Sequence, residues 1–408
     1  MLYDLHELHR SYLAPLAAFT DTGSLLFSHP YSPLAYTPVS RQISAAYELV
    51  HRLGKDYEKP QWDLPTTTIE DHTVPVRVET VLAKPFCHLV HFARETAQPR
   101  HNDPKILLVA PMSGHHATLL RDTVRALLPA HDIYVTDWVD ARMVPVSEGP
   151  FHLNDYVRYI QEFIRYLGPD LHVISVCQPT VPVLAAVSLM AANNDPKQPR
   201  SMVMMGGPID PRQSPTQVNT LATTKPYSWF EDNLIHRVPG RYPGAGRKVY
   251  PGFLQHAGFI AMNPDRHVQS HYDFYMDLIK GDNDDAQAHR KFYDEYNAVL
   301  DMPAEFYLDT ISIVFQQHQL PRKEWIIDGQ RVDPAAITKV RLLTIEGELD
   351  DISGPGQTRA ALDLCSSLPD TMKEHYTAEK CGHYGIFSGS RWRNIICPKI
   401  TEFIRRDL

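Results

Sequence analysis

The chain has 408 residues, of which 43% are hydrophobic, and its formal net charge at pH 7 is −8. This length and composition indicate a globular protein with a large core, and the negative charge makes nucleic acid or an anionic membrane a poor partner. The N-terminal MLYDLHELHR lacks a basic segment followed by an apolar run, so we expect no secretory signal. Five cysteines without a CxxC spacing are typical of reduced cytoplasmic thiols, not of a disulfide framework.

The first 75 residues are predicted to be largely helical, because apolar residues recur at helical spacing in LHELHRSYLAPLAAF and RQISAAYELVHRL. Short apolar strands then alternate with helices. VRVETVLAKPFCHLVHF is predicted to form a strand and then a loop, and ATLLRDTVRALLPA and FHLNDYVRYIQEFIRYL to form helices. Buried strands are predicted at ILLVAPM, HDIYVTDWV, LHVISV, SMVMMG and KVRLLTIEG. This alternation predicts a mainly parallel α/β sheet with helices on both faces.

Residues 209–337 interrupt the alternation. They are rich in proline, glycine and aromatic residues and contain no clear buried strand, which favours a helical lid inserted into the core. A second independent domain is the alternative, although such a domain should show its own strand or heptad pattern. The expected organisation is an N-terminal helical segment at 1–75, a first core part at 76–208, the lid, and a second core part at 338–408.

The stretch SVCQPTVP places Cys177 at the turn between a buried strand and a helix. The surrounding run VISVCQPTVPVLAAVSLMAA is apolar, but two prolines within four residues would break a membrane-spanning helix. A thiol at the carboxyl end of a parallel strand and the N-terminus of a helix meets a positive potential, which favours the nucleophilic thiolate. The alternative is a small core residue, because free cysteine is often buried.

Two later segments favour the catalytic interpretation. After KVRLLTIEG, Asp350 and Asp351 follow the end of a strand, where a carboxylate can orient a histidine. CGHYGIF then places His383 on a glycine-flanked loop before the last helix. The spacing after the strand favours Asp350, with Asp351 as the alternative. Nucleophile, acid and histidine therefore occur in the chain order that this chemistry uses on an α/β sheet.

An oxyanion hole requires two backbone N–H donors. We expect one from Gln178, after the nucleophile, and the other from Met112 or Ser113, after the strand ILLVAPM. No metal site is expected: His115 and His116 are adjacent and would rarely face one ion, HVQSH lacks the glutamate of a metalloprotease helix, and GDNDDA lacks calcium-loop spacing. Both of these motifs are expected on the lid surface. The sequence contains no GxGxxG or phosphate loop, so no cofactor is expected.

Five segments together resemble the intracellular poly(3-hydroxybutyrate), or polyhydroxyalkanoate, depolymerases: VCQPTVP, APMSGHHATLLRDTV, YVTDWVDARMVP, EGELDDISGPGQT and CGHYGIFSGSRWR. The resemblance runs from about Val81 to Leu408. It implies an α/β-hydrolase fold with Cys177 as the nucleophile, Asp350 as the orienting acid and His383 as the general base. It also implies hydrolysis of polyhydroxyalkanoate polymer or oligomer in the cytoplasm, with association to storage granules left open.

The turn departs from the Gly-x-Ser-x-Gly motif of ordinary hydrolases, because Ser175 and Pro179 stand where the glycines would be. The resemblance implies the same departure in the depolymerases, whereas polyester synthases share the Cys-Asp-His set but carry glycines around the cysteine. Two alternatives are kept: a polyhydroxyalkanoate synthase or related thioester acyltransferase, and a non-enzymatic granule-associated protein in which Cys177 is a core residue.

The aromatic-rich segment from Tyr227 to Tyr307 is expected to form an apolar groove for a polyester chain. Trp229, in the amphipathic stretch PYSWFEDNL, is the candidate substrate contact. Packing within the lid is an equally good explanation for any single aromatic residue of this segment.

Overall fold

The computed structural model describes residues 2–96, 102–262 and 264–406. The strands in chain order are β1 (Thr66–Ile69), β2 (His72–Ala83), β3 (Cys87–Arg94), β4 (Lys105–Val109), β5 (Asp132–Trp138), β6 (Leu171–Val176), β7 (Ser201–Met205), β8 (His236–Arg237), β9 (Lys248–Tyr250), β10 (Met302–Pro303), β11 (Ile326–Ile327), β12 (Gln330–Arg331), β13 (Arg341–Gly347) and β14 (Lys373–Ala378).

The α-helices are α1 (Leu2–Ser28), α2 (Ser40–Gly54), α3 (Arg121–Leu127), α4 (Leu153–Leu167), α5 (Thr180–Ala192), α6 (Gln217–Thr224), α7 (Tyr227–Leu234), α8 (Gly252–Met262), α9 (Pro264–Lys280), α10 (Asn283–Tyr296), α11 (Ala304–Asp309), α12 (Gln319–Arg322), α13 (Ala360–Leu364), α14 (Gly389–Arg391) and α15 (Cys397–Arg405). Two π-helical segments, Thr310–Gln316 and Trp392–Ile396, continue α11 and precede α15.

Nine strands form one sheet in the order β1-β2-β3-β5-β4-β6-β7-β13-β14. The six strands from β5 to β14 run parallel, and β1, β2 and β3 extend one edge antiparallel. Every residue of β6 and β7 is buried, because a parallel strand covered by helices on both faces has no solvent side. The predicted α/β-hydrolase fold with a mainly parallel sheet is confirmed.

The edges of the sheet differ from the prediction. VRVETVLAKPFCHLVHF forms two antiparallel strands, β2 and β3, paired from Val76 with Arg94 to Ala83 with His88, so the predicted strand and loop were wrong. The loop after β4 begins at Ala110, earlier than expected. Strand β14 was missed because KEHYTA lies at the edge, where most of its side chains are half exposed and no apolar run marks it.

The connection between β7 and β13, residues 206–340, adds no strand to the nine-stranded sheet among the residues described, and we call it the insertion. It is mainly helical and also contains a small sheet of β10, β9 and β8 and a short β11-β12 pair. The second N-terminal helix ends at Gly54, and β1 begins at Thr66.

The apolar run around Cys177 is divided between β6, a turn and α5, as the two prolines predicted. Within the described ranges, no helix has both the length and the apolar character that crossing a membrane requires.

A buried polar cluster ties α1 to the insertion. The Tyr3 hydroxyl donates to Asp301 at 2.7 Å, and the other oxygen of Asp301 accepts the N–H of Gly252, the first residue of α8, at 2.8 Å. Asp140 accepts the backbone N–H of Asp301 at 3.2 Å and pairs with Arg142 at 2.9 Å. Burial raises the pKa of both carboxyl groups, and for Asp140 the neighbouring Asp301 adds to the effect. The first turn of α1 is thus fixed to the start of α8.

Candidate active site

Cys177 occupies the turn between β6 and α5 with φ at +67°, a left-handed conformation that residues other than glycine rarely adopt. Its N–H donates to the carbonyl of Met205 on β7 at 2.7 Å, and its own carbonyl accepts the N–H of Thr180 at 3.1 Å. The turn is therefore held on both sides, and the half-buried thiol is presented at the carboxyl end of β6. This is how an α/β-hydrolase presents its nucleophile.

Gly207, in the sequence MMGGP after β7, lies against this turn. A Cβ at this position would be 1.8 Å from Oγ1 of Thr180 and 2.4 Å from the carbonyl oxygen of Cys177. The Thr358 hydroxyl accepts the N–H of Gly207 at 2.8 Å and donates to its carbonyl at 2.9 Å. The backbone beside the turn is therefore fixed at a separation that only glycine permits.

His383 and Asp350 form a buried pair next to the turn. Nδ1 of His383 lies 2.7 Å from Oδ2 of Asp350, and each residue is 5% exposed. The other carboxylate oxygen of Asp350 accepts the N–H groups of Ile352 at 2.9 Å and Ser353 at 2.8 Å. Asp351 is exposed to solvent, so the structure places Asp350, not the alternative Asp351, against the histidine.

The imidazole of His383 also interacts with the sulfur of Cys177. Burial alone lowers the pKa of His383, but the charges of Asp350 and Cys177 and the hydrogen bonds to both outweigh burial and hold this pKa well above 6.5. The three side chains can therefore supply a nucleophile, a proton acceptor and a group that orients the acceptor.

A buried carboxylate that the sequence analysis missed supports this arrangement. Glu346, 3% exposed in β13, accepts the backbone N–H groups of Gly356 at 2.9 Å and of Thr358 and Arg359 at 2.8 Å each. These bonds fix the loop that contains Asp350 and Thr358. A charged residue inside the apolar strand LLTIEG was the available signal, because a buried carboxylate needs several donors.

Cys177, Gln178 and His383 line a cavity of about 510 Å³. Its walls are mostly apolar and come largely from the insertion, including Leu221, Phe230, Tyr250, Phe259, Tyr307 and Ile311. Within the described part of the chain, its lining contains no Lys, Arg, Asp or Glu side chain. Of the predicted oxyanion residues, Gln178 and Ser113 line the cavity, whereas Met112 is 1% exposed and does not.

Trp229, the candidate substrate contact, does not line this cavity. Its ring packs against a cluster that includes Phe230 and Leu308, and the ammonium of Lys225 lies 5.4 Å from the ring centre. Phe230, the next residue of α7, does line the cavity. Phe230 is therefore the aromatic residue of this helix that can contact a substrate in the cavity.

The histidine-rich motifs pack against neighbouring elements to different extents. His267 and His271 of HVQSH are half-buried against α10, not on the lid surface as expected, with Nδ1 of His267 3.0 Å from the Tyr293 hydroxyl. His115 contacts the carbonyl of Tyr296 through Nε2 at 3.2 Å, and burial lowers its pKa to about 4. No group of three His, Cys, Asp or Glu side chains placed to hold a metal occurs among the described residues.

The chain is similar in sequence to proteins named for the synthesis and the breakdown of polyhydroxyalkanoates. Residues 206–407 match the family model described as "PHB de-polymerase C-terminus". The "Poly(3-hydroxyalkanoate) polymerase subunit PhaC" of Haloferax mediterranei is 22% identical over 380 residues, covering 89% of this chain and 70% of that protein. One name refers to breakdown of the polymer and the other to its synthesis, so the two matches leave the direction of the reaction open.

Solved α/β-hydrolase structures are similar in fold. The 2-hydroxy-6-oxo-6-phenylhexa-2,4-dienoate hydrolase of Rhodococcus sp. strain RHA1 has a TM-score of 0.46 and 14% identity, covering 82% of this chain and all of that chain (100%). A hydrolase from Pseudomonas aeruginosa PA01 has a TM-score of 0.45 and 12% identity, covering 81% of this chain and 98% of that chain.

The two adjacent aspartates allow a matched test. Asp350→Asn should lower turnover of a small soluble ester by roughly three to four orders of magnitude, because an amide no longer holds the histidine in the required tautomer. Asp351→Asn removes the same charge from an exposed position and should change turnover by less than about threefold. Steady-state kinetics of both variants check this assignment, and equal losses would contradict it.

Gly207→Ala should destabilise the protein by about 2 kcal/mol or more, because the added methyl group must displace Thr180 or the turn at Cys177. Gly240→Ala is the control, because a Cβ there meets nothing within 4 Å, and its effect should stay within about 0.5 kcal/mol. Denaturant unfolding of both variants measures the difference. A Gly207→Ala protein as stable as the control would show that the turn is not constrained as described.

Proposed function

We propose that the chain is a polyhydroxyalkanoate depolymerase of the cytoplasm, which hydrolyses the polyester through a thioester acyl-enzyme and releases hydroxyacid monomers or oligomers. One observation carries this proposal. A thiol on a left-handed strand-to-helix turn lies beside a buried histidine–carboxylate pair, and the thiol and the histidine face a mostly apolar cavity whose described lining contains no Lys, Arg, Asp or Glu.

In the first half of the reaction, His383 holds the proton of Cys177 and the sulfur attacks the ester carbonyl. The carbonyl oxygen becomes an oxyanion, for which the N–H groups of Gln178 and of the Met112–Ser113 loop are the proposed donors. The carbon–oxygen bond of the ester then breaks, and the departing alkoxide takes the proton from His383. A thioester on Cys177 and a free hydroxyl chain end result.

In the second half, His383 removes a proton from water, and the resulting hydroxide attacks the thioester carbonyl. The carbon–sulfur bond breaks, the acid is released, and the thiolate regains its imidazolium partner. Asp350 orients the imidazole through Nδ1 in both halves, which leaves Nε2 for proton transfer. No step requires a metal or a cofactor.

The cavity supports a neutral acyl chain as the substrate. A 3-hydroxyalkanoate ester has no charge along its length and carries alkyl branches, and an apolar, aromatic wall stabilises such groups by burial. Because the insertion supplies most of this wall, we propose that residues 209–337 act as a lid over the catalytic groups. The match of residues 206–407 to the depolymerase family model supports the same assignment.

A polyester synthase is the second candidate, favoured by the similarity to the Haloferax mediterranei polymerase subunit. A synthase would use the same three side chains but would transfer the acyl group to a growing chain and exclude water. Its usual acyl donors are thioesters of coenzyme A, whose phosphates require cationic side chains. The described lining of the cavity contains no Lys or Arg, which supports hydrolysis over transfer from such a donor.

Incubation of the purified protein with amorphous poly(3-hydroxybutyrate) separates the two candidates. We expect soluble hydroxyacids to be released, and Cys177→Ala to abolish their release because no other group attacks the carbonyl. Cys397→Ala is the matched control, because burial raises the pKa of that thiol to about 11 and leaves it unreactive. Release of coenzyme A with polymer growth from 3-hydroxybutyryl-CoA, without hydrolysis of the polymer, would assign the chain to synthesis.

A further inference from the structure

Helix α1 exposes a row of large apolar side chains, interrupted at Gly23, which we call the α1 stripe. Its members are spaced three, four or seven residues apart and therefore share one helix face. They are 48–74% exposed: Leu5 59%, Leu8 52%, Tyr12 74%, Leu16 48%, Phe19 64% and Leu26 49%.

Most of the α1 stripe does not hold the helix in place, because a different face of α1, with Tyr3, Ala17 and Thr20, is buried. Helix α2 covers the stripe only near Gly23, which lies on the same face. A Cβ there would be 3.0 Å from the ring of Tyr47, whose ring centre is 6.2 Å from that of Phe19. Soluble proteins rarely expose a contiguous apolar face of this size unless it binds something.

The charges around the stripe indicate a neutral partner. Arg10 is the only Lys or Arg in α1, and it is paired with Glu7 and Asp56. The exposed charged residues of the helix are the acids Asp4 and Asp21. A helix that binds an anionic lipid surface carries Lys and Arg beside its apolar face, and this one presents none.

A second copy of the chain is a weaker candidate. A stable protein interface uses about 20–30 residues on each side, and the α1 stripe has six large side chains. Adsorption to an extended neutral surface needs no interface of that size, because its strength increases with whatever apolar area is buried.

We propose that the α1 stripe adsorbs the protein to the surface of a neutral, water-insoluble polyester, an inference that rests on the proposed function. The fold links this surface to the cavity. The contact from Tyr3 to Asp301 fixes α1 to the first residue of α8, and His6 stacks on Phe253 of α8 at 3.9 Å. The same helix lines the cavity with Phe259, so adsorption through α1 would hold the cavity wall beside the polymer.

The test replaces Leu8, Tyr12 and Phe19 together with Gln. We expect sedimentation with amorphous poly(3-hydroxybutyrate) particles to show at least about tenfold weaker binding. The reason is that binding no longer buries the apolar surface of these three side chains. Hydrolysis of a small soluble ester should be unchanged, since none of the three residues lines the cavity. The matched control replaces Val146, Tyr166 and Ile326, which are 54%, 54% and 57% exposed, with Gln and should bind like the parent protein.

Binding is measured with the Cys177→Ala protein as well, so that adsorption is read without hydrolysis. If the parent protein adsorbs through the α1 stripe but never degrades the polymer, the proposed function is wrong, whereas the inference about the stripe holds. Undiminished binding of the triple variant would overturn the inference. If the triple variant also loses small-ester activity, Tyr12→Glu alone repeats the test at the most exposed position of the stripe.

Two further results would contradict the choice of partner. Light scattering could show a dimer that the triple variant dissociates while polymer binding persists, which would assign the stripe to a second copy. Adsorption of the parent protein to phosphatidylglycerol vesicles as strong as its adsorption to the polymer would assign the stripe to a lipid surface.

Discussion

The left-handed backbone at Cys177 is the constraint on which the rest of the site depends. Such a conformation costs about 1–3 kcal/mol for a residue other than glycine, so the surrounding contacts must over-determine it. The hydrogen bond from Cys177 to Met205 does this, together with the close backbone of Gly207, which two hydrogen bonds with the Thr358 hydroxyl hold in place. The sulfur is thereby fixed at the carboxyl ends of the parallel strands. The loops after β13 and β14 bring Asp350 and His383 to the same end of the sheet.

Burial and neighbouring charges together set the pKa of His383. His383 lies where burial alone would keep it neutral, and the groups on either side of it reverse that preference. The described lining contains no Lys, Arg, Asp or Glu side chain that would compete with the interaction between imidazole and sulfur. In the proposed mechanism the apolar wall therefore has two roles, since it accommodates an acyl chain and leaves this interaction undisturbed.

The sequence allowed Cys177 and Asp350 to be grouped, because each follows a predicted strand and the carboxyl ends of parallel strands lie together. His383 joined them through its glycine-flanked loop and its place in the chain order, because the strand before it, β14, was not predicted. The sequence did not reveal the contacts that hold these three residues in place. The three hydrogen bonds that Glu346 accepts depend on how the following loop folds back over β13, and the fit of Gly207 depends on Thr180 and Thr358, which are distant in the chain. Strand β14 has no apolar pattern because it is an edge.

The same limit applies to the cavity. Composition predicted an apolar groove within the aromatic-rich segment, but which ring faces inward depends on how α7 packs, and a shift of one residue exchanges Trp229 for Phe230. Likewise, the apolar spacing of α1 predicted a helix but not which of its faces would be left in water. Periodicity identifies an apolar face, and only tertiary packing decides whether it is buried.

The pairing of Cys177 with His383 is tested most directly by the rate at which iodoacetamide alkylates Cys177, followed by mass spectrometry from about pH 5 to about pH 8. The raised pKa of His383 keeps its imidazolium beside the sulfur above pH 6.5, so alkylation of the parent protein should remain fast over most of this range. In His383→Gln it should be at least about tenfold slower near neutral pH, while Cys397 stays unlabelled in both proteins. Equal rates in the two proteins would contradict the pairing.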